Sequence, residues 1–151
     1  MAPILDVRNL QTHFFTKGGV LKAVDGVSFE IGAGEIVGLV GESGSGKSIT
    51  GFSILGLVDA PGRIVGGEIL FKGTDLTTLP AAEMQKMRGS SIAMIFQDPM
   101  MTLNPVLRIE TQMIEAIQTH DSSVSKDEAR QRSRDALGLV GISSPEERMR
   151  A

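Results

Sequence analysis

The chain contains no cysteine, no tryptophan and no tyrosine among its 151 residues. Without cysteine there is neither a disulfide framework nor a thiolate metal site in this span. The six aromatics are all phenylalanine. No apolar run reaches the length needed to cross a bilayer as a helix. The start, Met1-Ala2-Pro3-Ile4-Leu5-Asp6, lacks the basic segment and apolar core of a signal peptide. There is no large excess of charge of either sign. The formal net charge of −3 gives no argument for a nucleic-acid partner. Internal repeats and low-complexity segments are also missing. What remains is 41% hydrophobic and 22% charged, the balance of a globular domain.

Patterning along the chain expects two kinds of structure. Ile4 to Thr12 alternates as a strand, Lys17-Gly18-Gly19 turns, and Val20 to Ile31 returns as one or two strands. Ile36 to Val40 and Ile92 to Phe96 are apolar on both faces, as expected of buried parallel strands. Ser48 to Val58 has helical spacing and ends at Asp59-Ala60-Pro61-Gly62. Gly67 to Lys72 reads as a strand between glycines, and Pro80 to Arg88 as a short helix. From Ile109 onward the pattern is helical. Ser125 and Ser144 each stand three residues before a glutamate, the spacing of a capping box, and Pro145 suits a first helical position. We expect residues 1–105 to form an antiparallel β layer with a phosphate-binding core, and 106–151 to begin a helical subdomain.

Between the apolar run 36–40 and the helix lies Gly41-Glu42-Ser43-Gly44-Ser45-Gly46-Lys47-Ser48, a full match to G-x-x-x-x-G-K-S/T. Its context, strand before and helix after, is the one that motif requires. Glycines let successive N–H groups curl inward into a nest for phosphate oxygens at a helix N-terminus. Lys47 adds a positive charge for the β- and γ-phosphates, and the Ser48 hydroxyl suits Mg²⁺. A turn that merely joined strand to helix would need a glycine or two, but no Lys-Ser pair. A nucleotide is therefore the expected ligand. Gln97 ends the second apolar run, where its amide oxygen suits Mg²⁺ and a water.

Three stretches together carry a family resemblance: VGESGSGKS, GEILFKGTDL (Gly67 to Leu76) and IAMIFQDPMMTLNP (Ile92 to Pro105), with VRNLQTHF and KAVDGVSFEI before them. The chain resembles the ATP-binding subunit of an ABC transporter, in the peptide/nickel importer branch. The resemblance spans nearly the whole chain, most strongly Leu5 to Pro105. It implies an α/β fold of the P-loop NTPase, ABC ATPase type. Gly41, Gly44, Ser45, Gly46, Lys47 and Ser48 match the Walker A motif, and Gln97 the Q-loop glutamine. An aromatic that stacks on adenine falls at Phe14, with Phe15 as the alternative; simple core packing is the competing account of Phe14. Ile49 stands where many members have threonine. Asp98 could end a Walker B strand, but Gln97 before it and Pro99 after it favour the Q-loop. Asp59 to Gly62 formally matches a GTPase D-x-x-G and reads as a turn.

The implied ligands are ATP and Mg²⁺, with Lys47 and Gln97 as catalytic residues and Ser48 and Gln97 on the metal. The implied partners are a second ABC ATPase and a transmembrane permease contacted through the Q-loop region. That places the protein on the cytoplasmic face of the plasma membrane, peripherally attached. Met100, Met101 and Leu103 either tuck beneath the helical region or form part of a groove for a permease helix. His13 and His120 lack ligand spacing and read as surface residues. The family's signature motif, Walker B aspartate, catalytic glutamate and switch histidine do not occur before Ala151. The expectation is a front half of an ATPase domain, poorly stable and catalytically incompetent by itself. Two rival readings are a non-catalytic truncated product and a soluble P-loop kinase or GTPase.

Overall fold

The computed structural model describes residues 2–97 and 102–151. It forms two compact units, Met1–Ala93 and Met94–Ala151. The first holds a four-stranded antiparallel sheet in the order β2-β1-β3-β4: β1 Leu5–Thr16, β2 Gly19–Ile31, β3 Gly62–Phe71 and β4 Thr74–Asp75. The turn at Lys17-Gly18 closes the β1–β2 hairpin, which runs in pairs from Leu5–Ile31 to Thr16–Gly19. Helix α1 (Lys47–Ile54) and helix α2 (Ala81–Met87) complete this unit, with a 3-10 turn at Leu76–Thr78. Its core is apolar: Val7, Leu10, Val24, Ile69, Phe71, Leu76 and Met84 are buried, and Ile49 and Ile54 of α1 pack against them.

Two polar contacts fix α1 and α2 in this unit. The hydroxyls of Thr12 on β1 and Ser53 on α1 lie 2.8 Å apart, both buried. Ser53 has a single hydroxyl proton, and it is donated to the Ile49 carbonyl at 2.7 Å. Thr12 is therefore the donor of the pair. On the other side, the Arg88 guanidinium donates to the carbonyls of Leu55 and Gly56, which closes the C-terminal end of α1 against the end of α2. A helix C-terminus exposes unpaired carbonyls, and a cation there is favourable.

β3 begins at Gly62, so Gly66 and Gly67 lie inside it rather than at its start. They coincide with a register shift against β1 between Arg8 and Gln11. Gly67 has φ +87, and a Cβ there would sit 2.4 Å from the Asn9 carbonyl and 2.6 Å from that of Arg8. Both neighbours are backbone, so neither can move aside cheaply. Asn9 is itself left-handed, at φ 46. The pair forms a bulge that a glycine makes possible.

The two expected parallel strands are not formed. No strand is assigned at 36–40, and Ile36 and Val40 are 97% and 89% exposed. Ile92 makes only an isolated bridge to Arg88, and Ile95 is 99% exposed. A strand apolar on both faces needs neighbours along both edges and layers above and below. Among the described residues, none pairs with 36–40.

The second unit contains α3 (Ile109–His120), α4 (Lys126–Leu139) and α5 (Pro145–Met149). Ile114, Val124 and Ala129 form its small core, with Ile117 against them. Ser125 caps α4 as expected, accepting from the Glu128 N–H at 3.2 Å. The Glu128 side chain does not complete the box; it pairs with Arg132 one turn on. Ser144 does not cap α5 at all. Its backbone is left-handed, φ 50 and ψ 57, which turns the side chain away from the helix N–H groups. Pro145 does occupy the first turn. Arg130 of α4 bridges Glu110 of α3 and Glu146 in the first turn of α5. No helix among the described residues is long and apolar enough to cross a membrane.

Gly67→Ala is expected to destabilise the protein by about 2–4 kcal/mol, because it places a side chain against two fixed carbonyls in a left-handed backbone. Denaturant unfolding of the natural and substituted proteins measures this. For the hydroxyl pair, Ser53→Ala strands a buried Thr12 donor and should cost roughly 1–3 kcal/mol, while Thr12→Val, which leaves Ser53 its Ile49 bond, should cost about 1 kcal/mol or less. The double substitution removes the orphaned donor, so its cost should fall below the sum of the two single changes.

Candidate functional site

The glycine-rich loop gets its shape from backbone conformations that glycine adopts readily. Gly44 and Gly46 have φ of 78 and 90. Gly46 also has no room for a side chain: a Cβ would lie 2.3 Å from the carbonyl oxygen of Ala23 on β2. The loop thus rests directly on the sheet. It leads into α1, which opens with no side-chain cap and no acidic residue in its first turn. The first N–H groups of α1 are left for an external acceptor, and the positive end of the helix dipole faces the loop.

Lys47 is the first residue of α1, yet its side chain turns back. Its ammonium donates to the carbonyls of Gly41 at 2.9 Å and Glu42 at 2.6 Å, and lies 3.5 Å from the Ser45 hydroxyl. Glu42 also accepts from the Ser45 N–H at 3.2 Å. These bonds hold the charge inside the curve of the loop. Ser48 is exposed on the next position. Thr50 is buried, and its hydroxyl donates to the Gly46 carbonyl at 3.0 Å, tying the loop's end to the helix.

A cavity of about 520 Å³ opens above this loop. Gly44, Ser45, Gly46, Lys47, Ser48 and Ile49 form one side, and Phe14, Leu21, Lys22 and Ala23 the other. Phe14 is half-buried and lines it. Phe15, one residue on, turns to the opposite face and is covered by the Arg63 guanidinium 4.4 Å from its ring centre. Ile49 also packs against the core beneath, so an apolar side chain is accommodated at the position where many members of the resembled family have threonine. Gly41 does not line the cavity; it contributes its carbonyl to Lys47.

Six of the expected residues are therefore gathered around one cavity: Phe14, Gly44, Ser45, Gly46, Lys47 and Ser48. Gln97 lies in the second unit and is exposed. Asp98, Pro99, Met100 and Met101 lie outside the described residues. Leu103 lies within the second unit and lines an apolar groove there with Ile109, Met113, Leu137 and Ile142. Among the described residues no group of three or more His, Asp or Glu is placed to hold a metal. His13 is not a surface residue. It is largely covered, its Nε2 has no hydrogen-bond partner among the described residues, and it stands 3.7 Å from Asp25.

Sequence reasoning missed Leu21, Lys22 and Ala23. Their signal is the hairpin register, which sets Leu21 opposite Phe14 and Lys22 opposite His13. Lys22 and Ala23 open the stretch KAVDGVSFEI, but nothing in that stretch marks them, or Leu21 before it, as cavity residues.

The donor set fits a polyphosphate nucleotide. It offers uncapped N–H groups, two glycines in left-handed conformations, one ammonium within the loop and one aromatic wall. It fits a divalent cation only through oxygen donors such as the Ser48 hydroxyl.

Comparison with known proteins bears on the family and the fold. The ABC transporter family model matches residues 24–150. The oligopeptide transport ATP-binding protein AppD of Bacillus subtilis is 48% identical over 151 residues, covering 99% of this chain and 46% of AppD. The dipeptide transport ATP-binding protein DppD of Haemophilus influenzae is 44% identical over 146 residues, covering 97% of this chain and 44% of DppD. The chain thus spans less than half the length of these relatives. Among solved structures, the dimeric bacterial ABC transporter cassette MJ0796 superposes with a TM-score of 0.82 at 23% identity, covering 97% of this chain and 60% of that one. The fold is that of an ABC ATPase cassette, and by the extent of the family match the chain belongs to the ABC transporter family.

Proposed function

We propose that the protein is the ATP-binding subunit of an ABC importer for peptides or a related solute. The observation that carries this is the single cavity in which an aromatic wall, Phe14, faces an uncapped helix start and a glycine nest. An aromatic face and a phosphate nest in one cavity suit the two ends of a nucleotide. The names of the relatives, dipeptide and oligopeptide transport ATP-binding proteins, supply the solute class.

In this reading Phe14 stacks on the adenine. The N–H groups from Gly44 to Ser48 receive phosphate oxygens, and Lys47 exchanges the Gly41 and Glu42 carbonyls for them. Ser48 and Gln97 would hold Mg²⁺, which supplies charge neutralisation at the β- and γ-phosphates. Lys47 and Gln97 are the residues of this chain assigned to catalysis. Residues 1–105 carry the nucleotide end and the Q-loop, and 106–151 begin a helical subdomain. A second ATPase subunit and a permease contacted near Gln97 are the proposed partners, at the cytoplasmic face of the membrane. A kinase or GTPase role is disfavoured by the antiparallel layer that supplies Phe14, and by the family match itself.

The test is uptake of a labelled dipeptide or oligopeptide into vesicles carrying the full-length protein and its permease, with ATP inside. ATP-dependent uptake is expected. Lys47→Ala should abolish it and weaken ATP binding roughly 10- to 100-fold, the worth of a charge-assisted hydrogen bond to phosphate. Uptake that persists in Lys47→Ala, or a strong preference for GTP, would overturn the proposal.

A further inference from the structure

The cavity contains a second cation that the nucleotide motif does not include. Lys22 lines it from β2, next to Ala23, whose carbonyl rests against the position of Gly46. Its neighbour Leu21 lies opposite Phe14 in the hairpin. Along β2, Lys22 thus falls between Leu21, opposite Phe14, and Ala23, against Gly46, while the Lys47 ammonium is held by the loop carbonyls of Gly41 and Glu42.

Nothing holds the Lys22 ammonium tightly. Among the described residues its partner is Asp25, at 3.3 Å, and both side chains are exposed, 59% and 50%. An exposed pair of this kind is worth at most about 1 kcal/mol. Asp25 also has a second neighbour, since its other carboxylate oxygen stands 3.7 Å from the unpartnered Nε2 of His13. Lys22 can leave Asp25 at little cost.

We propose that Lys22 is a nucleotide-binding residue that pairs with the phosphate nearest the sugar. A nucleotide with its base on Phe14 and its terminal phosphates in the loop carries that phosphate between the two, where Lys22 stands. The assignment rests on the nucleotide reading above and adds to it a division of labour. Lys47 serves the β- and γ-phosphates, of which ADP lacks the γ, whereas Lys22 serves the α-phosphate that both nucleotides carry.

The experiment is equilibrium binding of ATP and of ADP to the full-length protein, natural and with Lys22→Gln or Lys22→Arg, at two salt concentrations. Thermal unfolding without nucleotide runs alongside. Lys22→Gln should weaken ATP and ADP by the same factor, roughly 3- to 10-fold, and flatten the salt dependence. Lys22→Arg should restore affinity to about twofold of the natural protein, since the charge is kept. Unfolding temperature should not change, because the side chain is exposed. Equal affinity of the natural and Lys22→Gln proteins would overturn the proposal. So would a loss confined to ATP, which would place the ammonium on the terminal phosphate. If the natural protein binds neither nucleotide, the nucleotide reading itself fails, a result distinct from either.

Discussion

The site depends on one contact between backbones. The loop lies against β2 at Gly46, where the Ala23 carbonyl occupies the space a side chain would need. That contact sets the distance between two pieces that share no hydrogen-bond ladder: the hairpin with Phe14 and Lys22, and the helix with Lys47 and Ser48. A larger residue at Gly46 would push the loop off the sheet and separate the aromatic wall from the nest. The bond from Thr12 to Ser53 acts in the same direction from below, fixing α1 to the strand that bears Phe14. Cavity geometry is thus set by a close approach above and a buried hydroxyl pair beneath.

β1 is the element on which both supports converge. It is the interior strand with the longest pairings, to β2 on one side and β3 on the other. Its register breaks near Asn9 and again at Thr12–His13. The first break is made possible by Gly67 on β3, well away from the cavity. A strand that must deliver Thr12 to a helix and Phe14 to a cavity, while turning Phe15 outward onto Arg63, needs its faces tightly defined.

The loop was legible in the sequence because its chemistry is local: glycines, one lysine and one serine at fixed spacing suffice. The hairpin was legible from alternation and a Lys-Gly-Gly turn. Lys22 was not, because an exposed lysine on a strand becomes informative only once the register sets its neighbour opposite Phe14. From the sequence Gly67 reads as the start of a strand, whereas with Gly66 it forms a bulge inside β3; glycine suits both, and only the facing carbonyls tell them apart. Ser144 has the right spacing for a cap but a backbone that turns it away. The runs at 36–40 and 92–96 show the deepest gap. Apolarity on both faces records what surroundings a segment is suited to, and says nothing of whether those surroundings are at hand.

Lys47 has a further consequence. Its ammonium is bonded to two carbonyls of its own loop, at 2.9 and 2.6 Å. An arriving anion therefore meets a charge that is already solvated by the protein, and must outcompete two good acceptors to claim it. The net gain is a difference between two sets of bonds. Small anions that offer one or two oxygens recover little more than they displace. A chain of phosphates, reaching several N–H groups of α1 in the same event, recovers far more. In the proposed nucleotide reading, the loop's hold on its own lysine would act as a threshold that favours a polyphosphate over a single free phosphate.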